Sequence, residues 1–343
     1  MSILSAWADL SRESLVPMQV SLEMTYRCNE RCSHCYLATY DDRADGRPPL
    51  TLEEWIRVLD QLQEAGTLML VLLGGEAMLH PHFWAIAEAA SLRGFGVNLI
   101  SNGLLIDDRA ADRFRELNFL NVTLSLYSQQ AGIHDLMTRR RGSHARTLAA
   151  LERLRARGIS VGLNCLLTGE NIDEVFELWE WARSEKLEIR FDPMVTPKLD
   201  GTLGSTVTRA STEQILAFYR GMKKRESGYG PVAFGAETDP VCNAGRGKAA
   251  VNPYGDLLTC LEVREPLGNL RDHTFQQLWH SPQAEAVRAP RVRDLQFDTA
   301  CGAGSFCDHC PGVARAETGD GMKPVPFLME VASVRRQAWE ERA

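Results

Sequence analysis

Residues 18–36 read MQVSLEMTYRCNERCSHCY. The first eight, MQVSLEMT, read as a strand. The last nine hold Cys28, Cys32 and Cys35 in the spacing C-x3-C-x2-C, with Tyr36 directly after. Three thiols at the C-terminal end of a strand sit where β/α folds place their active sites. A closed structural zinc site takes four ligands, and His34 between two of the cysteines is not a usual zinc-ligand spacing. Thiolates are the ordinary ligands of iron–sulfur clusters. Three of them on a four-iron cluster leave one iron open to a substrate or cofactor.

Working outward, the strand-like run is the first of several. MQVSLEMT, TLMLVLLGG, GVNLISNG, NVTLSLYS, SVGLNCLLT and EIRFDPM alternate with helix-like segments such as TLEEWIRVLDQLQEAG and NIDEVFELWEWARSEK. Thr51 with Glu54 makes a capping box, and Gly66, Gly94 and Gly158 mark helix ends. Strands alternating with helices predict a parallel sheet covered by helices. Six β/α units are too few for a closed eight-fold barrel, so the fold class is α/β, a partial (β/α)6 barrel over residues 18–197. The chain divides further into an N-terminal extension (1–17), a linker and helix (198–240), a small C-terminal iron–sulfur domain (241–313) and a tail helix (314–343).

The 343 residues, 44% of them hydrophobic, suffice for one large domain and a smaller one. A net charge of −7 argues against nucleic acid as the main partner. The longest basic run, TRRRGSHAR at 138–146, reads as a solvated helix face. No signal peptide and no apolar run near the ~20 residues of a membrane span are apparent, so a cytoplasmic protein is expected. Nine cysteines there point to metal or redox work rather than disulfides. Cys165, alone in SVGLNCLL, reads as an inert buried thiol.

The cysteine triplet at the first strand of a β/α series resembles the radical S-adenosylmethionine (SAM) enzymes. That resemblance implies a 4Fe–4S cluster on Cys28, Cys32 and Cys35, with SAM on the open iron and a 5′-deoxyadenosyl radical as product. It implies a one-electron reductant such as flavodoxin or ferredoxin. Tyr36 matches the aromatic beside the adenine. GGEAML at 74–79 is similar to the family's Gly-Gly-Glu segment, which would place Gly74, Gly75 and Glu76 at the cofactor's amino group. Ala77 stands where the family commonly has proline. SNG at 101–103 is similar to the ribose-contacting segment, giving Ser101 and Asn102; Ser125 and Arg190 stand where the family has further polar contacts.

Cys242, Cys260, Cys301, Cys307 and Cys310 form the second group. The spacing C-x12-G-x4-C followed by a cysteine cluster resembles the auxiliary-cluster extensions called SPASM and, in shorter form, twitch. Asp298 and Met329 stand where the full pattern has cysteines. One auxiliary 4Fe–4S cluster on Cys242, Cys260, Cys307 and Cys310 is expected, with Cys301 a spare, a substitute ligand or a hydrogen donor. A structural zinc site is the competing reading of the same thiols. The resemblance implies maturation of a ribosomally made peptide, with a separate leader-binding protein as a possible partner. The alternatives are a small-molecule dehydrogenase or epimerase acting on an aminocyclitol, and side-chain oxidation in haem maturation.

Overall fold

The computed structural model describes residues 13–42, 46–226, 230–231, 234–299 and 302–341. The six expected strands are present: β1 (Gln19–Glu23), β2 (Met69–Leu73), β3 (Gly96–Ser101), β4 (Asn121–Ser125), β5 (Val161–Leu166) and β6 (Glu188–Asp192). They pair in parallel, each with its neighbour in sequence. The C-terminal region then adds three more strands to the same sheet. β7 (Lys248–Val251) pairs in parallel with β1, while β8 (Asp256–Leu258) and β9 (Gly268–Asn269) continue antiparallel. The order is β6-β5-β4-β3-β2-β1-β7-β8-β9, an unclosed sheet that leaves β6 and β9 at its edges.

Side-chain alternation along the strands sorts the two faces. Val20, Leu22, Leu70, Leu72, Val97, Leu99, Val122, Leu124 and Leu163 are buried in one large core. Opposite parity places Thr123, Ser125, Asn164, Arg190 and Asp192 on the concave face, where they line cavities. The helices cover the apolar face. They are α1 (Leu52–Glu64), α2 (Phe83–Leu92), α3 (Asp108–Glu116), α4 (Ala131–Thr138), α5 (Ser143–Ala156) and α6 (Val175–Ser184). The Thr51–Glu54 capping box closes α1, which buries Trp55, Val58, Leu59 and Leu62. Two helices, not one, connect β4 to β5. The first, α4, begins without a side-chain cap, so the sequence gives little warning of it.

Beyond the barrel, α7 (Thr212–Lys223), α8 (Phe275–Trp279), α9 (Pro282–Arg288), α10 (Pro311–Thr318) and α11 (Pro326–Glu340) follow in order. The tail helix α11 is tied to α7 by Lys223 Nζ, which donates to the carbonyls of Ala338, Trp339 and Glu341 at 3.1, 2.7 and 2.6 Å. A second, smaller core holds Phe306, Cys307, Val313, Val325 and Leu328. Arg271 joins the C-terminal region to the barrel through a two-pronged bond to Glu54, at 2.7 and 2.9 Å. Among the described residues no helix is long and apolar enough to cross a membrane.

Candidate active site at the C-terminal ends of the strands

The cysteine loop after β1 has no regular secondary structure, and its shape is imposed from outside. The backbone N–H groups of Arg31 and Ser33 donate to the carbonyls of Thr138 and Met137 at 3.1 and 2.8 Å, so α4 braces the loop. Ser33 Oγ donates to Glu170 (2.7 Å), and Asn102 Nδ2 donates to Asn29 Oδ1 (2.7 Å). Arg140, from the basic run, donates to the Asn29 carbonyl at 2.8 Å. That run is therefore partly spent on the loop, where the sequence suggested solvent alone.

Cys28, Cys32 and Cys35 open onto one cavity of about 320 Å³. Burial pushes the Cys28 thiol up to about 12, and burial raises Cys32 as well. The Glu30 N–H donates to Cys28 Sγ at 3.4 Å. Burial likewise lifts the Glu30 carboxyl to about 7. Desolvated thiols with an N–H aimed at sulfur suit a cluster, whose iron would hold them as thiolates. The donor set fits a three-thiolate site.

Gly74 and Gly75 line the cavity beside the loop. Gly74 has φ +143°, and a Cβ there would lie 2.3 Å from the Thr25 carbonyl; at Gly75 it would lie 2.4 Å from that of Arg27. Their approach lets Gly75 and Glu76 donate backbone bonds to Thr25 and Arg27 at 2.8 and 2.9 Å. Only glycine allows this contact.

Ser101, Asn102, Ser125 and Tyr36 also line the cavity. Tyr36 donates to Glu23 at 2.9 Å, and the Arg264 guanidinium lies over its ring at 5.1 Å. Two expected contacts sit elsewhere. The Glu76 carboxylate, fully buried, accepts from Ser101 Oγ (3.0 Å), Asn102 N (3.0 Å) and Met78 N (3.2 Å), so it faces its own chain and fixes the Ser-Asn-Gly segment. Arg190 lies lower on the concave face, 77% exposed, beside a different cavity, with Asp192 3.5 Å away. Two residues of strand separate Arg190 from the end of β6, and that is enough to take it out of the upper cavity.

The second group converges from distant segments. Cys242, Cys307 and Cys310 line one cavity. Cys260 lies close enough to raise Cys242 and Cys310 electrostatically, after the larger effect of burial on each. The N–H groups of Gly312 and Val313 at the start of α10 face Cys310. This donor set too suits an iron–sulfur cluster. Cys301, including its suggested role as hydrogen donor, lies outside the described residues. Cys165 is fully buried in the barrel core, where Asn171 Nδ2 donates to its sulfur at 3.4 Å.

Several cavity residues escaped the sequence reading: Tyr127, Asn164, Asp192, Met194 and Glu262. Asn164 and Asp192 had a signal, being polar residues at strand ends on the concave parity. Glu262 had a weaker one, two residues beyond Cys260.

Residues 22–182 match the family model described as the radical SAM superfamily, and residues 242–311 match that of the SPASM iron–sulfur cluster-binding domain. The chain is 25% identical to the AdoMet-dependent heme synthase of Methanosarcina barkeri, over 91% of this chain and 96% of that protein. It is 26% identical to the mycofactocin maturase MftC of Mycobacterium ulcerans, over 86% of this chain and 82% of that one. Its fold is similar to that of Streptococcus suis SuiB bound to precursor peptide SuiA, with a TM-score of 0.71 at 17% identity. That match covers 95% of this chain and 79% of SuiB.

Proposed function

This chain belongs to the radical SAM superfamily and carries its SPASM iron–sulfur cluster-binding domain, and we propose that it matures a ribosomally made peptide by oxidising one of its C–H bonds. When bound, the first cluster with SAM supplies hydrogen-atom abstraction from carbon, and the auxiliary cluster supplies an acceptor for the electron that follows. The chain's own residues prepare the setting. Cys28, Cys32 and Cys35 would hold the first cluster, with Tyr36, Gly74, Gly75, Ser101, Asn102 and Ser125 forming the wall around SAM. Glu76 acts through Ser101 and Asn102, keeping that wall in place. Cys242, Cys260, Cys307 and Cys310 would hold the auxiliary cluster. An external carrier such as flavodoxin or ferredoxin would deliver the starting electron, and a separate leader-binding protein is a fitting partner.

The observation that carries this reading is the cavity itself. It runs from the cysteine triplet to Met194 and Glu262, and Met194 also lines the separate cavity onto which Cys242, Cys307 and Cys310 open. Among the described residues the wall of the first cavity bears the carboxyls of Glu30, Asp192 and Glu262 and no Arg or Lys. Such a wall disfavours a haem-like macrocycle that brings carboxylates of its own. It suits a peptide side chain or, as the second reading, an aminocyclitol.

The test is an anaerobic incubation of reconstituted enzyme, SAM and dithionite with peptides translated from short reading frames beside the gene. One peptide should lose two hydrogens while 5′-deoxyadenosine forms in equal amount. Conversion of an aminocyclitol with every peptide untouched would overturn the peptide reading.

A further inference from the structure

The second cysteine group is bordered by positive charge that the protein alone leaves unbalanced. Arg246 lines the cavity onto which Cys242, Cys307 and Cys310 open. Its Nη2 donates to the Arg288 carbonyl at 3.0 Å, while its Nε–H is buried without an acceptor among the described residues. Arg288 and Arg291 stand near it and are likewise held by backbone carbonyls. Arg288 donates to Gly245 and Trp279, and Arg291 donates to Arg288 and Ala289. Among the described residues no ion pair joins any of the three to a carboxylate. Of the acids in that cavity, Asp308 is paired with Arg335 at 2.8 Å, and Asp239 accepts from the Ala236 N–H at 2.8 Å. Glu285 acts on Arg288 without pairing with it.

Burial, and after it the Arg291 charge, disfavour the Arg246 guanidinium where it stands. A buried donor without an acceptor, set among like charges, costs free energy. An anion in the cavity removes that cost. A 4Fe–4S cluster on four thiolates is such an anion, and reduction adds to its negative charge. Positive charge and N–H donors beside its sulfurs therefore favour the reduced state. We propose that Arg246 raises the reduction potential of the auxiliary cluster, through its unused N–H and its fixed positive charge. Arg246 is absent from the wall of the first cavity, so it tunes how readily the auxiliary site takes an electron without meeting SAM. Burial dominates the raised Cys242 thiol, and the Ala244 N–H, Arg246 and Lys248 act against it. Lys248 is exposed, so water and salt screen its charge, and Arg246 is the stronger lever.

The inference rests on reading the second cysteine group as an iron–sulfur site, and one experiment separates the two claims. The full chain with Cys28, Cys32 and Cys35 replaced by Ala is reconstituted anaerobically, so that only the auxiliary site holds iron. Its potential is read by electron paramagnetic resonance during a stepwise titration with dithionite and redox mediators. Arg246→Gln in that background should make reduction about tenfold less favourable, a fall of about 59 mV for one electron. Arg246→Lys keeps the charge without the Nε–H and should fall by part of that amount. Lys248→Gln should move the potential least. Iron and sulfide content should match in every variant. An unmoved potential in Arg246→Gln, or an equal fall in Lys248→Gln, overturns the proposal and leaves the cluster reading intact. Loss of the cluster in both Arg246 variants overturns it too, since the arginine would then be a support of the fold. If only Arg246→Gln loses its cluster, the Lys variant decides, and an unmoved potential there overturns the proposal. Zinc without iron in the unmutated site overturns the cluster reading and the proposal together.

Discussion

The two cysteine groups of this chain make opposite demands on the fold. The first, Cys28 to Cys35, lies within eight residues of one loop, and neighbouring elements need only hold that loop still. The second is gathered from residues 242 to 310 and has no site until β7, β8 and α10 are all in place. A contiguous site tolerates damage elsewhere, whereas a dispersed one inherits every fault of the elements that carry it.

The sharpest way to break this comparison is to remove the contiguous group. Replacing Cys28, Cys32 and Cys35 together with Ala should remove about four of roughly eight irons per chain and abolish 5′-deoxyadenosine formation. Reductive cleavage of SAM by the triple variant would sink the assignment of the first site. Removing the dispersed group should have a different outcome. With Cys242 and Cys260 both changed to Ala, iron should fall to about four per chain while SAM cleavage continues without product. Changing Cys301 alone to Ala should leave the count unaltered. About twelve irons in the wild type would mean that the extension holds two clusters.

A smaller effect is expected from Glu76→Gln. The buried carboxylate accepts bonds from Ser101, Asn102 and Met78, and an amide cannot accept all of them. A loss of about 1–3 kcal/mol in stability, together with weaker SAM binding, is expected. Weaker binding at unchanged stability would instead put the carboxylate on the cofactor.

The smallest effect concerns the joint between the regions. Glu54 is held below the ordinary carboxylate range chiefly by the bond from Arg271, against a modest opposing effect of burial. Its contribution is therefore complete above the unfolded carboxylate value and is lost as pH falls through the folded one. Glu54→Gln should cost about 1 kcal/mol near neutrality. In thermal melts the gap between wild type and variant should close below about pH 4.

The same contrast explains what could be read in advance. Strand periodicity, the Thr51 cap and the glycine stops are local, so six parallel strands were legible. The triplet, Gly74, Gly75, Ser101 and Asn102 were legible as neighbours because each lies at or shortly after the C-terminal end of a strand. Arg190 was misplaced because one step of strand parity keeps a residue on the concave face without fixing its height. The direction of the Glu76 side chain depends on donors 25 and 26 residues away in sequence. Glu262 was missed because the C-terminal region must fold onto the barrel before that residue lines the cavity, and its place two residues beyond Cys260 is only a faint local signal. The extension of the sheet by β7 was hidden for the same reason.

That extension has a consequence for how the protein is made. β1 carries the first cysteine loop, and one of its edges is covered by β2 and the other by β7, whose residues begin at Lys248. At about 5–20 residues per second, ribosomal synthesis leaves the far edge of β1 bare for on the order of ten seconds or more. During that interval the nascent barrel presents an unpaired row of amides beside its cysteines, a template for pairing with the wrong chain. Pulse-labelled hydrogen exchange on stalled nascent chains should find the β1 amides that face β7 protected only after β7 has left the exit tunnel. Loading of iron before that point would meet a loop whose supporting strand is still unfinished.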